Sequence, residues 1–84
     1  MTYRYRPDVL ETLAGHGIRP LPTTPPELAR EALSNLYRYE IRRLRTRLMR
    51  REFPQREYAG RVIELRRKYA LLSLPIQLWL QGDA

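Results

Sequence analysis

Eighty-four residues with 43% hydrophobic content suffice for one small domain, 1–84, and exclude both two separate cores and wholesale disorder. The net charge of +7, with a pI near 10.6, points to acidic partners: nucleic acid, an anionic membrane or an acidic protein face. The lack of cysteine excludes disulfides and thiolate metal sites, and no run reaches the roughly 18 apolar residues of a membrane span.

Residues 1–6 alternate Tyr3 and Tyr5 with Arg4 and Arg6. Two readings stand, an extended basic arm or a terminus that lays its tyrosines on the core, and the second is favoured. No apolar core and cleavage site of the signal-peptide kind follows Met1, so a soluble cytoplasmic protein is the simplest account. A short helix over about 7–14 is expected, with Pro7 at its first position and Asp8 and Glu11 at the positive end of its dipole. Val9, Leu10 and Leu13 give it an apolar face, and Gly15 and Gly17 stop it.

The connection HGIRPLPTTPP is proline-rich, with Ile18 and Leu21 expected to pin it to the core. Thr24-Pro25-Pro26-Glu27 reads as a T-x-x-E capping box, which starts a long helix at Pro25. Ala29, Leu33, Leu36, Tyr37, Ile41, Leu44 and Leu48 recur mostly three and four apart, one face of a helix running to about Arg51. Leu28 lies off that stripe and is expected to meet the N-terminal segment. Pro54 ends this helix and opens a second long one, 54–72. Its stripe is Tyr58, Val62, Leu65, Tyr69 and Leu72, widened by Ala59, Ile63 and Ala70.

So short a connection between amphipathic helices implies an antiparallel hairpin. The expected fold is all-α: that hairpin, with the short N-terminal helix and an apolar C-terminal segment, 73–84, packed on it. Two charges fall inside the stripes, Glu40 in one and Arg66 in the other. The hairpin register brings them together, which predicts a partly buried Glu40–Arg66 ion pair serving structure.

Fifteen of the sixteen basic residues are arginines, and the charge is local: twelve basic residues against four acidic ones lie between Arg38 and Lys68. Arg38, Arg42, Arg43, Arg45, Arg47, Arg50 and Arg51 surround the long helix, and Arg56 follows just past the turn. Arginines every three or four residues can track phosphates, and Tyr39, off the apolar stripe, is the best placed tyrosine to stack on a base. The solvated-face reading, with arginines making i, i+4 pairs to glutamates, competes with it.

His16 is the only histidine, no Gly-rich phosphate loop is present, and no serine has a base beside it, so neither an enzyme nor a cofactor or metal is expected. No zinc-finger, RRM or KH signature occurs. The leading expectation is a small basic helical protein engaging RNA or DNA through phosphates. The alternative is an adaptor or accessory subunit, possibly a homodimeric bundle, docking on an acidic partner through the arginines or through Leu78, Trp79 and Leu80. Membrane binding ranks third, because the apolar side of the long helix is used in the hairpin. An exposed Trp79 would favour the adaptor, and a buried tail the nucleic-acid reading.

Overall fold

The computed structural model describes residues 1–82, so Asp83 and Ala84, the last residues of the predicted tail, lie outside the described residues. Three α-helices occur, α1 (Pro7–Gly15), α2 (Pro26–Met49) and α3 (Tyr58–Lys68), with 3-10 turns at Gln55–Glu57, Ala70–Ser73 and Ile76–Leu78. Among the described residues no β-strand forms; one isolated antiparallel bridge joins Tyr5 to Leu80. The all-α expectation therefore holds.

α1 begins on Pro7, whose fixed φ and missing N–H suit a first helical position, and Asp8 lies in the first turn. It ends in a Schellman motif. Gly17 sits at φ 78, its N–H reaches Ala14 O (2.9 Å), and the Ile18 N–H reaches Leu13 O (2.9 Å).

α2 starts one residue later than the capping-box reading requires, and no side chain caps it. Pro25 takes the cap position and Thr24 falls outside the helix, where its Oγ1 accepts the Leu21 N–H at 3.0 Å. The box needs threonine at the cap itself; here it closes the preceding turn instead.

The second long helix is shorter than its pattern suggests. Pro54 leads into a 3-10 turn before α3 begins at Tyr58, and the α-helical run stops at Lys68 rather than continuing to Leu72. Distant side chains take the carbonyls released there. His16 Nε2 lies 3.1 Å from Lys68 O, and since a carbonyl only accepts, that nitrogen carries the hydrogen. The Arg30 guanidinium donates to Leu72 O at 2.8 Å and Leu74 O at 3.4 Å. Partners 42 and 52 positions away compensate the lost helical bonds, and no local pattern announces them.

The core is formed by Tyr5, Val9, Leu13, Ala29, Leu33, Tyr69 and Trp79, with Ile18, Leu36, Tyr37 and Leu65 among the side chains packed around it. Tyr5 is buried, with its hydroxyl donating to Thr24 O (2.7 Å); burial first, then the charge of Glu27, pushes its pKa up. The tail closes over this core. Trp79 is fully buried and its indole N–H donates to Leu74 O (3.2 Å). Arg6 N–H to Trp79 O (2.9 Å) and Gln81 N–H to Arg4 O (2.7 Å) stitch the two terminal segments together. Not every predicted contact forms: Leu21 (65% exposed) and Leu28 face solvent, as do Ala59 and Ile63 on α3 and Ala70 in the turn after it.

A chain of this length packed as a sphere has a radius of gyration of about 12 Å. This one measures 15.4 Å, within an envelope of 50 × 20 × 17 Å. The excess length comes from α2, whose 24 residues span about 36 Å and outrun the core. Between Ile41 and Lys68 only Leu44 and Phe53 are buried, and α3 lies against this projecting half.

Candidate functional site

Charge on the projecting half is densest where α2 leaves the core. Arg38, Arg42 and Arg45, four and three residues apart, share the side opposite Leu33 and Leu44. Arg43 and Arg47 turn toward α3. With Leu44, Leu65, Arg61 and Lys68 they line a groove of about 450 Å³ that also carries Glu40 and Glu64. Arg50, Arg51 and Arg56 stand exposed around the turn between the helices. All eight predicted arginines thus belong to the projecting half or its approach.

Few of them are neutralised within the chain. Arg47 pairs with Glu52 (Nε to Oε1, 3.3 Å), and Arg38 donates to Asn35 Oδ1 (3.3 Å). Among the described residues Arg42, Arg43, Arg45, Arg50, Arg51 and Arg56 make no ion pair. Tyr39 is 55% exposed on the same surface. Guanidinium groups left with free donors can take phosphate or carboxylate oxygens two at a time.

Glu40 does not pair with Arg66. Its carboxylate accepts from the Tyr69 hydroxyl and from Lys68 Nζ (3.3 Å), while Arg66 is exposed and lines a small cleft beside Tyr37, Tyr69 and Leu72. The helix-wheel register placed a cation opposite Glu40 but took the wrong one. α3 ends at Lys68, and the looser turn there swings Tyr69 inward beneath Tyr37 (ring centroids 5.2 Å apart) and against His16 (4.5 Å). Burial alone would raise the Glu40 carboxyl; the hydrogen bonds from Tyr69 and Lys68, with the charges of Lys68 and His16, outweigh it and hold the pKa below its ordinary value. Burial and the same carboxylate push the Tyr69 phenol well above its ordinary range.

Phe53, between α2 and α3, joins the site although no charge or motif marks it. It is buried under two guanidinium groups, Arg61 at 4.2 Å and Arg47 at 5.6 Å from the ring centroid. Glu57 holds Arg61 from the other side at 3.2 Å. An aromatic residue beside a proline between two arginine-bearing helices was the available signal.

Of the proposed tail contacts, Trp79 lies inside the core, Leu80 is half-buried, and Leu78 alone is largely exposed. No tryptophan patch is offered to a partner. Among the described residues no helix is long and apolar enough to cross a membrane, and no three His, Cys, Asp or Glu side chains gather as a metal site would need. No protein-family model matches the chain, and no curated protein or solved structure matches it either.

Proposed function

We propose that this protein is a small nucleic-acid-binding protein that grips the phosphate backbone of RNA or DNA with the arginine face of α2. One observation carries the reading: from Arg42 to Arg51 six arginines stand on about three helical turns, and only Arg47 has an acidic partner among the described residues. A merely solvated helix surface intersperses acids to neutralise its cations; this one leaves them unsatisfied. In this reading α2 and α3 act as an antiparallel hairpin, with Phe53 holding the turn and α3 stiffening α2 from behind. Such a protein works in the cytoplasm without a cofactor. Burial of Trp79 supports it over docking through the tail, because it leaves the arginine face as the dominant surface feature.

The test is a salt titration of binding to mixed RNA and duplex DNA. Log affinity should fall linearly with log salt, by about 0.9 per phosphate contacted on B-DNA. Replacing Arg42 and Arg45 together by alanine should flatten the slope by about 2 while leaving the melting temperature nearly unchanged. Absence of binding at about 50 mM salt would overturn the reading, since phosphate contacts are strong there. Binding to an acidic protein would then be the outcome to seek.

A further inference from the structure

α1 and α2 end in the same hydrogen-bond pattern, with different residues at the position that turns left-handed. In α1 it is Gly17, at φ 78; in α2 it is Arg51, at φ 58, with its N–H on Leu48 O (2.9 Å) and the Glu52 N–H on Arg47 O (3.0 Å). A residue with a Cβ is disfavoured in this conformation and glycine is not. Nothing inside the chain accounts for the arginine: among the described residues its guanidinium makes no ion pair or hydrogen bond, and neighbouring Glu52 is held by Arg47. Backbone strain retained without an internal partner points outward, to a ligand.

The surroundings suggest which one. Arg51 lines a hollow of about 790 Å³ at the tip, together with Leu48, Met49, Phe53, Pro54, Gln55 and the already paired Glu52. Met49 is 77% exposed there, an apolar, polarisable side chain facing solvent, next in the chain to the exposed Arg50 and lining the same hollow as Arg51. Apolar side chains with a guanidinium beside them are complementary to a single nucleotide, which has an apolar base face and a charged phosphate. A duplex hides its base faces in the stack and offers this hollow only its backbone.

We infer that the tip hollow takes one unpaired nucleotide, its base against Met49 and Leu48 and its phosphate on Arg51. This rests on the nucleic-acid reading above and narrows it to strands with an accessible base. The thioether supplies a sulfur–π contact and Arg51 a charge-assisted hydrogen bond.

The experiment compares a labelled oligothymidylate with a duplex of the same length, by fluorescence anisotropy at about 50 mM salt. The wild-type protein should prefer the single strand. R51G should melt about 5 °C higher, because the backbone penalty is removed. It should nonetheless lose about tenfold in single-strand affinity. R45A, which removes an equal exposed charge away from the hollow, should weaken both ligands alike. M49S should reduce single-strand binding while leaving the duplex unaffected. Equal wild-type affinity for the two ligands, with R51G no weaker than R45A, overturns this inference and leaves the phosphate-gripping face standing. Binding to neither ligand overturns both.

Discussion

The two ends of α2 live under different physics. At its N-terminal end the helix is buried among the terminal segments, α1 and Tyr69; Ala29 and Leu33 are almost entirely covered and Trp79 fills the centre. At its C-terminal end it has one neighbour, α3, and cohesion rests on Leu44, on Phe53 beneath two guanidinium groups, and on a few exposed ion pairs. Apolar burial scales with area and depends little on salt, whereas exposed ion pairs are individually worth about 1 kcal/mol or less and fade as salt rises. The helix is therefore anchored by apolar burial at one end and leaves its arginines in water at the other.

Trp79→Ala should test that division most severely. Removing a fully enclosed indole costs about 3–5 kcal/mol, enough to unfold much of a domain this small, and a denaturant melt would read it. If the variant lost less than about 1 kcal/mol, the tail would not be the keystone of the closed end. Phe53→Ala should cost less, about 3 kcal/mol, the low end of that range, and the damage should be local. Hydrogen exchange would show faster exchange near Met49 and Val62 with Leu13 and Leu33 still protected; uniform loss of protection would mean that the two ends unfold as one.

Tyr69→Phe probes the seam between them, where the hydroxyl meets Glu40, with an expected loss of about 1–2 kcal/mol. The contact also carries a pH signature. The Glu40 carboxyl is held below its ordinary value of 4.5, so its stabilisation is fully present above that pH and is lost as the pH falls through the lowered folded value. Tyr69 is shifted the other way: its contribution is complete below its ordinary 10.0 and is lost progressively as pH rises from there through the raised folded value. Acid melts of wild type and Glu40→Gln should therefore diverge above about pH 4.5 and converge below it. Parallel curves would remove Glu40 from the account.

How much of this was legible depended on whether the cause was local. The stripe from Ala29 to Leu48 and the proline at the head of α1 could be read because helical spacing and φ restriction are properties of neighbouring residues. The break at Pro54 and the half-buried Val62 and Leu65 of α3 followed for the same reason. The end of α3 could not be read, because His16 and Arg30 fix it from far along the chain. Glu40 illustrates the limit: its position inside the stripe required a cation across the interface, but choosing Lys68 over Arg66 needed the change of backbone path after Lys68. The arginine set was visible as composition, but not the left-handed backbone of Arg51, since φ is not written in residue type unless glycine announces it.

The stitching of the terminal segments has a kinetic consequence. Arg6 donates to Leu78 O across 72 positions, and closing a loop of that length costs about 4 kcal/mol of chain entropy before any contact is gained. α2 and its short connection to α3 need no such closure. The arginine-bearing half should organise early and the tryptophan-sealed half last, so the order of assembly runs opposite to the order of stability. The surface that carries the charge would be shaped before the core that holds it is shut, and a rapid-mixing experiment should find helix signal preceding the burial of Trp79.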